Sequence, residues 1–359
     1  MDLSKLGWSD YFQAFAREYD GQDYIIARVS CQLKKRYVVL WEGGEMEAVI
    51  LGRFRYQAES MADFPVVGDW VLIKKEKGSE KAIIHHILPR KTKISRDTGT
   101  RKGRRHISDE QVIVANVDII FLVAALNEEL NYRRLERYLT LIWDSGAKPV
   151  LILNKADLIE THQQIVEDIN DIALGVPIHV TSAHLNQNVD ELKSYIKEGQ
   201  TIALLGSSGV GKSTLINRII GKEKFKVLDT SSDPSKGRHT TTHRELVVLE
   251  QGGILIDNPG MRSVQLWDGE SGLSQSFEDI EQLAVHCRFN DCKHKTEPGC
   301  AVIEALTQGE VSQERYESYL KLQQELEYRE RKENWRTRHN TKRRWKSITK
   351  EIRRMKKNK

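Results

Sequence analysis

The stretch Gly206-Ser207-Ser208-Gly209-Val210-Gly211-Lys212-Ser213, with Thr214 behind it, follows the apolar run Thr201–Leu205 and opens the helical pattern Lys212–Ile220. Few folds accommodate it. Glycines at both ends let successive backbone N–H groups curl inward around a phosphate, and the dipole of the following helix favours the same anion. Strand, loop and helix in that order belong to a parallel sheet covered on both faces, so this segment commits the middle of the chain to an α/β architecture. A second motif sets the order of its parts. Asn154-Lys155-Ala156-Asp157 stands just past the apolar run Pro149–Leu153, upstream of the phosphate loop. A guanine-nucleotide domain of ordinary order carries its phosphate loop first. Both motifs are well formed, which reads as an intact nucleotide site in a circularly permuted chain.

The surrounding pattern agrees. Val117–Ala125 is largely apolar, as suits a buried parallel strand. Helical spacing over Tyr132–Trp143, Ile165–Ala173 and Glu191–Ile196 alternates with strand-like Pro149–Leu153 and Ile178–Thr181. Leu246–Leu249 and Ile254–Ile256 flank a turn at Gly252-Gly253. Ahead of this region, five short alternations predict strands at Asp23–Ser30, Arg36–Trp41, Ala48–Leu51, Asp69–Ile73 and Lys81–Ile87. Five strands in so short a stretch fit a small barrel. The oligonucleotide-binding barrel is the best-known five-stranded one, though a barrel of another topology would read the same. Residues 90–111 are polar and basic, either an RNA-contacting loop or a linker. The expected division is a barrel over 1–95, a basic connector over 96–112, the permuted nucleotide domain over 113–268, a helical metal-binding domain over 269–330 and a basic tail over 331–359.

Charge is distributed unevenly. Residues 331–359 hold fourteen Lys/Arg and two Glu, a net of +12, which leaves −7 for the rest of a chain whose total is +5. A terminal block of that sign is a footprint for a polyanion, with a solvated tail as the plainer alternative. Arg336, Lys342-Arg343-Arg344 and Trp345 mix cations with an aromatic able to stack on unpaired bases. No apolar run is long enough to span a bilayer, and no secretory signal opens the chain, so a cytoplasmic location and no membrane partner are expected.

Each motif residue has an expected task. Lys212 neutralises the β- and γ-phosphates, and the Ser213 hydroxyl completes a Mg²⁺ shell. The Asp157 carboxylate accepts from guanine N1–H and the 2-amino group, donors that adenine lacks. Asn154 ties loops together near the purine. Thr181-Ser182-Ala183, past the next strand, offers a backbone N–H to guanine O6. Asp257-Asn258-Pro259-Gly260 ends the strand Ile254–Ile256. There Asp257 would hold a Mg²⁺-bound water, and the Gly260 N–H would sense the γ-phosphate. Within Gly237-Arg238-His239-Thr240-Thr241-Thr242-His243 one threonine should meet Mg²⁺ and the γ-phosphate; Thr241 is favoured among three neighbours. Met261 follows Gly260, where many GTPases place a glutamine that orients water. An apolar side chain cannot do that, so intrinsic hydrolysis should be slow. His239 is the first candidate to supply the missing catalytic group and His243 the second.

Three of the four cysteines, Cys287, Cys292 and Cys300, fall close together with His294 between them. Three thiolates and an imidazole make a closed shell for one structural Zn²⁺. Cys31 stands apart and reads as a core thiol of the barrel.

Taken together, these motifs resemble the circularly permuted GTPases of the RsgA (YjeQ/YloQ-like) family. The likeness is carried by Asn154–Asp157, Thr181–Ala183, Gly206–Ser213, Gly237–Thr242, Asp257–Gly260 and the Cys287/Cys292/His294/Cys300 set. It implies an oligonucleotide-binding barrel, a monomeric GTP hydrolase stimulated by the 30S subunit, and late 16S rRNA maturation near the decoding region. It also implies GTP/GDP, Mg²⁺ and Zn²⁺ as ligands, with His239 in the family's catalytic position. A GTP-gated RNA-binding module with incidental hydrolysis is the alternative.

Overall fold

The computed structural model describes residues 2–33, 36–58, 60–75, 81–97, 100–102, 105–107, 110–128, 130–221, 245–250, 252–257, 270–328 and 331. They fall into two compact units, 1–276 and 277–359.

In the first unit, helix α1 (Asp10–Ala16) precedes strands β1 (Ile25–Gln32), β2 (Tyr37–Trp41), β3 (Gly44–Ile50), β4 (Trp70–Lys75) and β5 (Lys81–Ile87), with the short helix α2 (Gly52–Gln57) after β3. β1 pairs with β2, β2 with β3, β3 in parallel with β5, β5 with β4, and β4 closes back on β1. This closed ring is the five-stranded oligonucleotide-binding barrel. Alternate residues, among them Ala27, Val29, Val39, Val71, Ile73 and Ile84, fill its interior. β3 starts at Gly44 rather than at the expected Ala48. Glu45 and Glu47 face outward there, and only Met46 packs on the barrel core, so the alternation is thin.

The basic stretch after the barrel is a β-hairpin, not a loop. β6 (Lys93–Asp97) pairs antiparallel with β9 (Glu110–Ala115), and β7 (Thr100–Lys102) with β8 (Arg105–Ile107) beyond them. Ile94, Val112 and Val114 are buried, and Lys93 pairs with Glu110 at 2.7 Å. The many basic residues hid this alternation in the sequence.

The nucleotide domain runs through β10 (Ile119–Ala125), α3 (Tyr132–Asp144), β11 (Lys148–Asn154), α4 (Gln163–Ile172), β12 (Ile178–Val180), β13 (Thr201–Leu205), α5 (Lys212–Ile220), β14 (Glu245–Val248) and β15 (Ile254–Asp257). The spatial order is β12-β11-β10-β13-β15-β14, with parallel pairing up to β15 and an antiparallel β14. Every residue of β10 is buried, which explains its unbroken apolar run. Asp190–Tyr195 forms a 3-10 turn rather than the expected α-helical face. Helix α6 (Glu270–Ser276) follows; a Cβ on its Gly272 would lie 2.1 Å from Thr140 O of α3, so the helices meet backbone to backbone.

The sheet does not stop at β14. Its Glu245 pairs with Cys31 of β1, so barrel and nucleotide domain share eleven strands. Arg28, 1% exposed, donates to the carbonyls of Leu6, Gly68 and Asn116, tying the N-terminal turn, the barrel and the segment leading into β10 together. Burial pulls this guanidinium down to about 10, against the opposing pull of Asp118 and Asp69.

In the second unit, α7 (Glu278–Ala284), α8 (Ala301–Gln308) and a helix over 313–328 surround Phe277, Ile280, Val302, Tyr319 and Leu322. Arg315 grips Asp279 through two bonds of 2.7 and 2.6 Å and lies 4.7 Å from the Phe277 ring centre. Of the basic tail only Arg331 is among the described residues; it pairs with Glu327 at 3.1 Å.

Candidate functional site

β11, β10 and β13 are parallel neighbours, so the loops that leave β11 and β13 emerge at one edge of the sheet. The two motifs therefore meet whatever their order along the chain. Asn154, the last residue of β11 and 2% exposed, makes the junction. Its Nδ2 donates to Val210 O at 2.8 Å, inside the phosphate loop. Its Oδ1 accepts from the Ala183 N–H at 2.9 Å and the Thr181 hydroxyl at 3.3 Å. One buried carboxamide thus holds three loops. Within the Thr181–Ala183 stretch, expected to offer a backbone N–H to guanine O6, the Ala183 N–H is engaged with Asn154 in this structure.

Two glycines are dictated by that packing. A Cβ on Gly211, at φ +95, would lie 2.3 Å from Asn154 Nδ2. One on Gly206 would lie 2.2 Å from Val123 O. Neither position admits a side chain, since contacts under 3 Å with rigid neighbours cannot relax. Val210 is buried in the core under the loop, whereas Ser208 and Gly209 are exposed.

Lys155 takes the left-handed conformation at φ +65, turning the chain so that exposed Asp157 receives the Ser182 hydroxyl. Ser182 in turn accepts from the Leu185 N–H at 3.1 Å. Arg218, on α5, donates to Ala183 O and His184 O at 3.1 and 3.2 Å, and so braces the same loop. No motif announced Arg218, or Arg134 of α3, whose Nη1 donates to Ser207 Oγ at 3.0 Å. Single arginines that brace loops from a neighbouring helix have no local signature.

Lys212, 8% exposed, donates to Gly206 O at 2.9 Å and Ser207 O at 2.6 Å. Burial depresses its ammonium to about 8, against the opposing pull of Asp257. The Asp257 carboxyl, 4% exposed at the end of β15, is pushed up by burial, with Lys212 pulling it back. This buried cation beside the loop can receive an anion whose binding restores its charge. Ser213 and Thr214 lie in the first turn of α5, half-buried at its start. Hydroxyl and carboxylate oxygens such as those of Ser213 and Asp257 are the donor type Mg²⁺ takes. His239, Thr241, Gly260 and Met261 lie outside the described residues.

The second unit carries the cluster. Cys287 follows α7, Cys292 and His294 sit in the next loop, and Cys300 caps α8. The four ligand atoms lie within 4.8 Å of one another. Cys287 Sγ is 3.6 Å from His294 Nδ1 and 3.8 Å from Cys300 Sγ, and His294 Nδ1 is 3.4 Å from Cys300 Sγ. A tetrahedral Zn²⁺ site has ligand edges of about 3.6 Å between S and N and about 3.8 Å between sulfurs, given its bond lengths. The donor set and its spacing therefore fit the ion. Burial raises the Cys287 thiol, but the Val302 and Ala301 N–H groups at the start of α8, together with bonds from Cys300 and Cys292, outweigh it and favour thiolate. His294 adopts φ +55, and its carbonyl receives the Tyr316 hydroxyl.

A permuted parallel sheet with a base-reading loop, a phosphate loop and a buried lysine defines a guanine-nucleotide-binding domain of the P-loop class. The comparisons make this particular. A family profile described as RsgA GTPase matches residues 87–267. The small ribosomal subunit biogenesis GTPase RsgA 1 of Oceanobacillus iheyensis is 43% identical over 333 residues, 92% of this chain and 93% of that protein. The crystal structure of YjeQ from Thermotoga maritima is 29% identical with a TM-score of 0.63, covering 84% of this chain and 98% of that one. A structure titled YloQ, a circularly permuted GTPase, shares the fold at a TM-score of 0.59 and 24% identity. The chain belongs to the RsgA GTPase family and is a GTP hydrolase.

Proposed function

We propose that this GTPase matures the small ribosomal subunit, binding 16S rRNA near the decoding region in the GTP state and leaving on hydrolysis. The observation that carries the reading is the extent of the likeness to proteins named as small ribosomal subunit biogenesis GTPases, which spans the barrel, the nucleotide domain and the cysteine cluster alike. The oligonucleotide-binding barrel and the +12 tail supply two surfaces suited to RNA. No helix among the described residues is long and apolar enough to cross a membrane. The protein acts as a cytoplasmic monomer in this proposal.

In the nucleotide site, Asp157 selects guanine by accepting from N1–H and the 2-amino group, while Asn154 and Ser182 hold it in place. The phosphate-loop N–H groups of Ser208–Lys212 and the Lys212 ammonium bind the β- and γ-phosphates. Mg²⁺, when bound, neutralises charge across those phosphates. Ser213 and Thr241 ligate it, and Asp257 holds one of its waters. Gly260 senses the γ-phosphate, and His239 orients the attacking water in place of the glutamine that Met261 replaces. In the second unit, Cys287, Cys292, His294 and Cys300 hold one structural Zn²⁺.

The test is GTP turnover with and without purified 30S subunits. The proposal expects a large stimulation, as when a trans-acting partner completes a GTPase site. Unstimulated turnover with GTP-dependent 30S binding would leave a GTP-gated RNA-binding module instead.

A further inference from the structure

Three strands set a row of residues across the boundary between barrel and nucleotide domain. Cys31 of β1 stands opposite Glu245 of β14, and Glu245 stands opposite Asp257 of β15. Directly opposed residues of antiparallel strands share a face, with Cβ atoms about 4.5–5.5 Å apart. The row therefore begins at the carboxylate beside Lys212 and ends on the barrel wall two strands away. A β-bulge lies at its far end. The register of β1 against β2 shifts between Val29 and Cys31, leaving Ser30 as the extra residue, with its hydroxyl donating to Val38 O at 3.1 Å. Bulges bend a strand and re-aim its side chains, and here the bend falls where the barrel meets β14.

Glu245 and Asp257 are like charges placed directly opposite each other, an arrangement that weakens a strand pair. At the Asp257 carboxyl the Lys212 ammonium and the Glu245 carboxylate act against each other. A divalent cation and a lysine engaged by phosphate would change that balance at Asp257, and the β14–β15 pair would feel it. β14 has the barrel on its other edge, so a change at this corner is passed to β1 by backbone pairing with no intervening loop.

We propose that Glu245 is a positioning residue that couples Mg²⁺–nucleotide occupancy to the barrel wall at Cys31, making the barrel an output of the nucleotide site. The coupling rests on the nucleotide site assigned above. Glu245 needs no contact with nucleotide for this. It acts by holding β14 between a site that gains cationic charge and a barrel strand that is bulged at the point of attachment.

Cys31 makes the coupling measurable, because it is half-buried and the other three cysteines all belong to the cluster. The full-length, zinc-loaded protein would be treated with iodoacetamide, and alkylation of the Cys31 peptide followed by mass spectrometry. The three states compared are nucleotide-free, Mg²⁺–GDP and Mg²⁺ with a non-hydrolysable GTP analogue. Backbone hydrogen exchange of residues 25–32 and 245–248 is followed in parallel. The expected result is a change of about tenfold in Cys31 reactivity between nucleotide-free protein and the GTP-analogue state, the range of local opening equilibria. In Glu245→Gln and Glu245→Ala this response should collapse to less than about twofold, with fluorescent-GTP affinity within about threefold of the parent. A nucleotide response that persists in both variants, in alkylation and exchange alike, overturns the role of Glu245. No response in the parent protein, with nucleotide demonstrably bound, overturns the coupling and leaves the site assignment standing. Absence of nucleotide binding in the parent would instead remove the site assignment on which the inference rests.

Discussion

The phosphate loop and the cysteine–histidine cluster are both built by loops, yet they are held in opposite ways. The phosphate loop stands on a core that runs beneath it, from Val210 through Leu215, Ile202 and Val123. Its shape is set by protein bonds alone, chiefly those of Asn154 and the two crowded glycines. The cluster leans on a smaller core, around Phe277, Ile280, Val302, Tyr319 and Leu322. Its loop over 285–299 has exposed Val285 and Phe289, and the four ligand atoms gather within 4.8 Å of one another. In the first unit the core makes the site; in the second an ion would add to what a small core supplies. A site preformed by its core keeps its shape when emptied, whereas one coupled to folding loses stability with its metal.

The largest expected effect follows from that contrast. Removing zinc by chelation, or Cys300→Ser, should unfold the second unit, since a structural zinc site contributes on the order of 10–16 kcal/mol of apparent binding energy. Hydrogen exchange over α7 and α8 would report it. Retained protection there after metal removal would mean that the second unit holds its shape without the ion. Next comes Gly211→Ala, which forces a methyl group against Asn154 and should weaken GTP binding by about a hundredfold, or ~2.7 kcal/mol. Fluorescent-GTP titration checks this, and unchanged affinity would mean that the loop is not set by the Asn154 contact. Asp157→Asn should leave the loop intact and narrow the GTP-over-ATP preference by roughly two orders of magnitude, as expected when a polar group that reads a substrate is replaced. Competition between the two nucleotides measures it.

The smallest effect is a proton. Lys212 titrates near 8 in this structure, below its ordinary 10.5, because burial disfavours the charged form. Bound phosphate favours that form and raises the value. Above pH 8, then, GTP binding must take up a proton, and affinity should fall as pH rises through this window until the raised value is reached. Calorimetry at pH 8.5 in buffers of different ionisation heat would show the uptake. Lys212→Arg, which does not deprotonate, should abolish it.

Much of this was legible in the residues. Gly206–Ser213 and Asn154–Asp157 announce themselves because backbone approach to phosphate and recognition of a purine edge require particular residue types within a few positions. The four metal ligands are legible for the same reason. The β6–β9 hairpin was not, since its inward Ile94 and Val112 are swamped by basic neighbours and the alternation is short. The engagement of the Ala183 N–H by Asn154, and the bracing by Arg134 and Arg218, were out of reach too. Those bonds join residues 29, 73 and 35 positions apart, and no periodicity records them.

A permuted guanine-nucleotide domain, a five-stranded barrel, a four-ligand metal cluster and a basic tail can all be read from the residues. Each is encoded locally, in periodicity, in turn chemistry or in a motif a few residues long. The fusion of the barrel edge to edge with the nucleotide sheet, through Cys31, Glu245 and Asp257, emerges in the folded chain. Strand pairing across more than two hundred residues is chosen by packing and hydrogen-bond satisfaction in the folded chain. Chain order names the neighbours along the backbone; the sheet names the neighbours in space.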